Sequence, residues 1–233
     1  MTSWLIIGGS GHAKSVAAII RNRGDRVVGI SDPNLAEAMQ SGAGFDRLVE
    51  PFKSDSGDSP RIFRRDKDAL EWAAATATSI AVAIGDNAIR KRVSELIATT
   101  EPWARLTAPL IAKSATVDST AKIGSLTQVF EHAHIGPSAD IGSGVIVNTS
   151  AVVEHDAVVG SGSHLAPGSV ILGAVSVGLG VFIGSGARVL PGLRIGQFSI
   201  IGAGAVVTGD ALAGETYAGI PARILQSKEG STL

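Results

Sequence analysis

The strongest pattern in the chain is a branched apolar residue that returns at every sixth position from Ile111 to Val207. A period of six fits neither the 3.6-residue turn of an α-helix nor the alternation of a simple amphipathic strand. It is typical of a hexapeptide solenoid, a parallel β-helix in which three hexads form one triangular coil. Residues eighteen apart then stack in columns, and the run predicts about six coils. The apolar anchors are Ile111, Val117, Ile123, Val129, Ile135, Ile141, Val147, Val153, Val159, Leu165, Ile171, Val177, Ile183, Val189, Ile195, Ile201 and Val207.

The residues between the anchors indicate which side chains point inward. The fourth residue after an anchor is usually Ala or Ser, so we expect the anchors and these small residues to fill the narrow interior. On this assignment His132, His134, His155 and His164 lie at or near the surface. They belong to different eighteen-residue columns, so the sequence predicts no zinc site stacked within one chain and no metal. A site shared between subunits stays open as an alternative.

The first part of the chain shows the order strand, glycine turn, helix, strand. An apolar run at 4–7 enters a turn with Ser10, Gly11 and His12, and a second strand at 26–30 ends before Asp32. This is the start of a doubly wound nucleotide-binding unit, in which a diphosphate lies at the helix N-terminus and a residue such as Asp32 bonds a ribose or base. Lys14 stands where the dinucleotide fingerprint has its third glycine, which argues against NAD. A tight turn in a purely structural domain is the alternative. The helix is predicted to bury Val16, Ala17, Ile19 and Ile20.

The same α/β part continues with a charged, turn-rich stretch at 46–71, which we interpret as an exposed loop leading to a helix near 68–75. A buried strand is predicted at 79–84, with Gly85 at its carboxyl end, where ligands of open α/β sheets bind. The helix predicted at 88–99 should bury an apolar face and leave its basic residues largely outside. The apolar face is Ile89, Val93, Leu96 and Ile97, and the basic residues are Arg90, Lys91 and Arg92.

Charge and composition narrow the function classes. A net charge of −1 gives no reason to expect nucleic acid or a membrane surface as partner. The chain has no cysteine, which excludes disulfides and thiolate chemistry. No apolar run approaches the length of a membrane span or of a signal peptide, so we expect a cytoplasmic protein.

His155 is the most promising catalytic candidate, because it lies between Glu154 and Asp156. Imidazole is a suitable general base near neutral pH, and a neighbouring carboxylate can fix its tautomer. Gly173 lies one coil further on and would place a backbone N–H near the ring, where it could donate to a developing oxyanion. A surface histidine that bonds across a subunit seam is the alternative.

A column of small residues indicates a second candidate site. Thr149, Pro167, Ser185 and Ala203 are each eighteen residues apart, so they would stack and leave a groove. A thin, extended ligand such as pantetheine could lie there. A tight corner without any ligand would produce the same spacing.

Several segments of the chain resemble those of the bacterial nucleotide-sugar acetyltransferases. This family includes UDP-4-amino-sugar and GDP-perosamine N-acetyltransferases and sialic acid O-acetyltransferase-like proteins. The resemblance covers nearly the whole chain. It implies a Rossmann-like nucleotide-sugar-binding domain at 1–108 and a left-handed β-helix at 109–233, assembled as a homotrimer with acetyl-CoA between neighbouring prisms. The segments are 8–12, 84–90, 147–150, 154–156 and 219–223.

The resemblance also implies roles for individual residues. His155 would be the general base and Asp156 the acidic neighbour that makes it more basic, although some relatives have Glu there; the backbone N–H of Gly173 would steady the oxyanion. The nucleotide-sugar would be held by Ser10, Gly11, His12, Asp32, Gly85 and Asn148, and acetyl-CoA by His164, Ser185 and Ala203. Ser31 stands where some relatives carry an acid, and the loop at 46–71 looks longer than in the shortest ones.

The function implied is direct N-acetylation of a nucleotide-linked 4-amino-4,6-dideoxy sugar, without an acyl-enzyme. O-acetylation of a sialic acid or another sugar is a second hypothesis, since the same base would serve a hydroxyl. A non-catalytic trimeric sugar-binding scaffold is a third. Neither UDP nor GDP is favoured by the sequence. The α/β part is expected to cover one end of the solenoid, and residues 212–233 the other.

Overall fold

The computed structural model describes residues 1–42, 44–54 and 57–225. It has an α/β part followed by a left-handed parallel β-helix, as predicted. The strands of the α/β part are β1 (Ser3–Ile7), β2 (Arg26–Ser31), β3 (Arg61–Phe63) and β4 (Ser79–Val82). Its helices are α1 (Gly11–Asn22), α2 (Pro33–Ser41), α3 (Phe45–Val49), α4 (Asp66–Thr76) and α5 (Asn87–Thr99), with 3₁₀ turns at Glu50–Phe52 and Trp103–Leu106.

The four strands of the α/β part form a parallel sheet in the order β3-β2-β1-β4. The chain moves outward from β1 to β3 and then returns to the other side of β1 with β4. This reversal opens a crevice beyond the carboxyl ends of β1 and β4, where Gly8 and Gly85 lie. Helix α1 buries its apolar side against the sheet, as predicted: Val16, Ala17, Ile19 and Ile20.

The prediction of one exposed loop before α4 was wrong for much of 46–71. The stretch contains most of α3, a 3₁₀ turn and β3, which pairs with β2 at the edge of the sheet. Phe52 is only 1% exposed and belongs to the core, and Phe63 packs on Trp72. These few apolar residues are spaced too widely to show a period, although tertiary packing buries them. Asp55 and Ser56 lie outside the described residues.

The solenoid consists of short strands joined by turns. They are β5 (Leu110–Ile111), β6 (Thr116–Val117), β7 (Lys122–Ile123), β8 (Gln128–Val129), β9 (His134–Ile135), β10 (Asp140–Ile141), β11 (Ile146–Val147), β12 (Val152–Val153), β13 (Val158–Val159), β14 (His164–Leu165), β15 (Val170–Ile171), β16 (Ser176–Val177), β17 (Phe182–Ile183), β18 (Arg188–Val189), β19 (Arg194–Ile195), β20 (Ile200–Ile201), β21 (Val206–Val207), β22 (Thr216–Ala218) and β23 (Arg223–Ile224).

These strands stack into three faces of a prism. The first face holds β5, β8, β11, β14, β17, β20, β22 and β23; the second holds β6, β9, β12, β15, β18 and β21; the third holds β7, β10, β13, β16 and β19. The turn after a strand of the first, second or third face is called here the first, second or third corner. Partners within a face are eighteen residues apart, as Ile146 and His164 show. The predicted columns are therefore confirmed.

The interior of the prism is filled as predicted. The anchors from Val129 to Val207 are at most 2% exposed, and the small residues four positions after them are also buried. Backbone hydrogen bonds join successive coils, for example from Phe130 N to Val147 O at 2.9 Å. The backbone N–H groups of each coil thus donate to carbonyl groups of the next coil, while the apolar side chains stack in the interior.

The ends of the prism depart partly from expectation. The α/β part packs against the side of the prism, where Leu110, Phe130 and Ile146 join its core cluster. The inward residues of the first coil, such as Ile111 and Val117, are accordingly only partly buried. At the other end β22 and the antiparallel β23 extend the first face, and Leu212 N donates to the hydroxyl of Tyr217 at 2.8 Å. Residues 226–233 of the expected cap lie outside the described part.

Helix α5 is turned differently from the prediction. Arg90 is 0% exposed, whereas Ile89 is 46% and Leu96 56% exposed. The helix places Arg90 and Ser94, together with Ile97, toward the third corner and the sheet. The periodicity of apolar residues therefore misidentified the buried side, because a basic residue occupies its centre.

The guanidinium of Arg90 joins the α/β part to the solenoid. Its Nε donates to Gly144 O at 2.9 Å, and its Nη2 donates to Gly162 O at 2.8 Å, so two coils are held by one side chain. Burial lowers the pKa of Arg90 to about 10, which leaves the group charged at neutral pH. The remaining acceptors of the guanidinium are Ile84 O, Gly85 O, Asn87 Oδ1 and Ser163 O.

Replacing Arg90 by methionine is expected to lower the free energy of unfolding by about 3 kcal/mol, because buried carbonyl groups lose their donors. Urea denaturation followed by circular dichroism measures this change. Arg92→Met on the exposed side of the same helix is the control and should stay within about 0.5 kcal/mol of the wild type. Equal effects of both substitutions would contradict the role assigned to Arg90.

Candidate active site

The imidazole of His155 is held by a carboxylate at the second corner. His155 Nδ1 lies 2.8 Å from Asp156 Oδ2, and a carboxylate at neutral pH only accepts hydrogen bonds. Nδ1 therefore carries a proton and donates to Asp156, and this bond leaves Nε2 unused. Both side chains are 61% exposed. Of the two acidic neighbours predicted for His155, the described structure pairs it with Asp156 and not with Glu154.

The backbone of the second corner brings this pair together. Asp156 adopts a left-handed conformation with φ of 59°, the conformation that the third residue after an anchor takes at many corners. Asp tolerates the left-handed region better than most residues because of its short polar side chain. This turn folds the carboxylate back toward its neighbour's ring.

Gly173 lies directly beneath the His155 ring, as the eighteen-residue spacing predicts. A Cβ atom at Gly173 would be 2.6 Å from His155 Nε2 and 2.7 Å from Cε1. Only glycine therefore leaves room for the imidazole at this place. Among the described residues the backbone N–H of Gly173 has no acceptor, although the glycine itself is buried.

The column of small residues lines the first corner. Thr149, Pro167, Ser185 and Ala203 are all exposed. They are stacked through backbone bonds, such as Gly186 N to Pro167 O at 3.0 Å. The predicted groove therefore has the required small, accessible lining, and its occupation by a cofactor stays a prediction.

His164 and Asn148 form a polar pair beside this column. Asn148 Oδ1 accepts from Thr149 N at 2.8 Å, so its Nδ2 is free to donate to His164 Nε2 at 3.1 Å. The His164 ring stands edge-on to Phe182, with centroids 5.3 Å apart. Burial, together with the charges of Arg90 and His12, lowers the pKa of His164 to about 3. The ring is therefore neutral and half-buried.

The glycine turn after β1 contains two sterically required glycines followed by two exposed residues. Gly8 and Gly9 are required sterically, because a Cβ on Gly8 would approach Ala83 O and one on Gly9 would meet Asp32. Ser10 makes no capping bond at the start of α1, and Gly11 has open space around it. Both are exposed, as a ligand contact would require.

Asp32 has a local role that the sequence did not reveal. Its Oδ1 caps α2 by accepting from Asn34 N and Leu35 N, and its Oδ2 accepts from Gly9 N, each at 2.9 Å. The carboxylate thus fixes the glycine turn relative to α2. A contact from Asp32 to a nucleotide stays a prediction.

His12 connects the glycine turn to the solenoid. Its Nε2 lies 3.0 Å from Gln128 Oε1 on the first face, and its ring packs on Phe130 with centroids 5.4 Å apart. Burial lowers the pKa of His12; the bond with Gln128 opposes this shift and the charge of Arg90 adds to it. Positive charge on His12 or Arg90 lowers the pKa of His164, because both side chains lie close to it.

Gly85 opens onto a cleft of about 380 Å³ between the start of α5 and the prism. Phe182 and Ile200 of the first face and Phe198 of the third corner line it. Sequence analysis did not select these aromatic residues, nor Gln128. Their position one residue before an anchor or at a corner makes them outward-facing, which is the signal that could have identified them.

The structure brings the predicted site residues together in two groups. One group lies at the seam between the α/β part and the first face and continues along the first corner. At the seam it contains Ser10, Gly11, His12, Gly85, Asn148 and His164, and along the first corner Ser185 and Ala203. His155, Asp156 and Gly173 form the other group, at the second corner. Within one chain the second face separates the groups.

The described residues contain no group of three or more His, Asp or Glu side chains placed to hold a metal ion. Across the same part of the chain, no helix combines the length and apolar character needed to cross a membrane.

Comparisons with known proteins agree with this architecture. Residues 4–97 match the family model of the PglD N-terminal domain. PerB from Caulobacter crescentus, solved with CoA and GDP-perosamine, is 32% identical over 97% of this chain and 98% of PerB, with a TM-score of 0.78. Curated protein sequences give no match.

Two further solved proteins are similar over nearly their whole length. The acetyltransferase domain of PglB from Neisseria gonorrhoeae is 30% identical over 97% of this chain and 100% of that domain, with a TM-score of 0.78. It has also been solved with acetyl coenzyme A. WeeI from Acinetobacter baumannii shares the fold, with 23% identity over 97% of this chain and 100% of WeeI and a TM-score of 0.75.

Replacing Gly173 by alanine is expected to displace the His155 ring, because the new Cβ would lie inside the contact distance of Nε2. A crystal structure of the variant would show the imidazole rotated away and its bond to Asp156 lengthened or lost. Gly209→Ala is the control, since Gly209 has open space around it. An unmoved imidazole in the Gly173 variant would contradict the packing described.

Proposed function

The chain belongs to the bacterial nucleotide-sugar acetyltransferases, and from this premise we propose that it acetylates the amino group of a nucleotide-linked 4-amino-4,6-dideoxy sugar. Acetyl-CoA is the acyl donor, in keeping with the CoA and acetyl-CoA complexes of PerB and PglB. GDP-perosamine bound to PerB supports an amino sugar as acceptor. One observation carries the assignment of a base: His155 is exposed, bonded to Asp156 through Nδ1, and has a free Nε2.

In the proposed reaction the sugar amine attacks the thioester carbonyl of acetyl-CoA. His155 Nε2 accepts the proton that the amine loses, while Asp156 stabilises the imidazolium that forms. The C–S bond then breaks as the amide is completed, and the CoA sulfur takes the proton from His155 and leaves as the thiol. The N–H of Gly173 is proposed to donate to the carbonyl oxygen as its negative charge develops.

The proposed site needs two copies of the chain. The small column and His164 lie on the first corner and first face, whereas His155 lies on the second corner. If the second corner of one copy meets the first corner of the next, a closed ring of three copies builds three such sites. We therefore propose a homotrimer with acetyl-CoA between neighbouring prisms.

The proposed function predicts CoA release with one member of a panel of UDP- and GDP-linked 4-amino-4,6-dideoxy sugars. His155→Asn should lower kcat by at least about 10²-fold, the usual contribution of a general base. His132→Asn is the control, because His132 is also an exposed corner histidine and Asn tolerates its left-handed backbone. Activity on free sialic acid alone would indicate O-acetylation instead. Binding without turnover on any acceptor would indicate a scaffold.

A mixing experiment tests the two-copy site. His155→Asn and Ser185→Trp, which fills the small column, should each inactivate the protein alone. Co-expression in equal amounts should restore roughly a quarter of the wild-type activity. Each site is formed by two randomly chosen copies, and in about one pair of four an intact second corner meets an intact first corner. A site contained in one chain would show no recovery.

A further inference from the structure

Gln128 is a polar residue between two apolar neighbours on the first face. Its neighbours in the column, Leu110 and Ile146, are buried, and Gln128 itself is only 1% exposed. A leucine would fit this environment, whereas a buried amide costs stability unless both its ends are hydrogen-bonded. The two partners of the Gln128 amide therefore explain why a polar residue stands here.

The orientation of the Gln128 amide follows from its first partner. Gln128 Nε2 donates to Val82 O at 2.6 Å, and a backbone carbonyl can only accept, so the amide cannot be reversed. Its Oε1 must then face His12 Nε2, 3.0 Å away. An amide oxygen also only accepts. His12 Nε2 therefore carries a proton and donates.

The other ring nitrogen of His12 is consequently an acceptor. Because burial lowers the pKa of His12, the imidazole is neutral at neutral pH, and Nδ1 holds a lone pair. Among the described residues Nδ1 has no hydrogen-bond partner and is not sealed from solvent. Phe130 packs against the ring and limits its rotation.

We propose that Gln128 is a positioning residue that holds His12 with Nδ1 as a hydrogen-bond acceptor, so that the glycine turn receives an uncharged donor group of the nucleotide-sugar. A sugar or ribose hydroxyl, or an amide N–H, meets this requirement. The diphosphate does not, because it offers only acceptors. The identity of the ligand rests on the proposed function, whereas the state of the ring does not.

The state of the ring can be measured without any ligand. Long-range ¹H–¹⁵N spectra of the ¹⁵N-histidine-labelled protein distinguish protonated from unprotonated ring nitrogens. The chain has five histidines, and a His12→Asn variant assigns the signals of His12. At neutral pH we expect Nε2 protonated and Nδ1 unprotonated. A ring protonated at Nδ1 overturns the inference, whether or not any amino sugar is turned over.

The ligand group can be tested with Gln128→Leu, which fills the same space but offers no acceptor to His12 Nε2. We expect KM for the accepted nucleotide-sugar to rise about tenfold with little change in kcat, because Nδ1 is no longer held as an acceptor. Binding of inorganic pyrophosphate alone, which offers only acceptors, should be unchanged.

Gln197→Leu is the matched control, since it makes the same substitution at an exposed position of the solenoid. An unchanged KM in Gln128→Leu, or an equal loss of pyrophosphate binding, overturns the inference. Failure of the proposed function would show itself differently, as absence of turnover in the wild type despite the expected ring state.

Discussion

The structure depends on one constraint of the solenoid: three strands and three corners must return the chain to its starting column after eighteen residues. Only then do backbone N–H groups of one coil meet the carbonyls of the next and the branched side chains stack inside. The eighteen-residue spacing is lost at the C-terminal end of the prism, where the cap begins. There Thr216 pairs with Ile200 after only sixteen residues. This register also sets which corner residues lie above one another, as Gly173 does beneath the His155 ring.

A buried cation makes the α/β part and the prism one unit. The acceptors of Arg90 belong to turns of both parts, and most are backbone carbonyls that only a correctly registered corner presents together. Asn87 adds bonds to Gly180 O and Val181 O at the next coil. The start of α5, and with it the cleft at Gly85, therefore keeps a definite distance from the first face. Gln128 makes a similar connection from the prism to β4 and α1.

The sequence predicted the prism well because its repeat is strict, and the same counting placed Gly173 beneath His155. It failed where burial depends on partners rather than on period. Arg90 was predicted to face solvent, because no sequence pattern indicates the backbone carbonyl groups that surround it. Phe52 lay in a charged stretch without periodicity. Asp32 was selected as a ligand contact, although its oxygens already cap α2 and hold Gly9. The boundary between 108 and 109 and the assigned ligand contacts stay predictions.

The pair formed by His155 and Asp156, together with Gly173, belongs to two successive coils and takes nothing from the α/β part. Its geometry is a property of the repeat and can be inherited unchanged when the first hundred residues diverge. The seam with His12 and Gly85, in contrast, is made by both parts. Changes in the α/β part can therefore alter the seam while the group at the second corner keeps its geometry, so the two candidate sites can diverge independently.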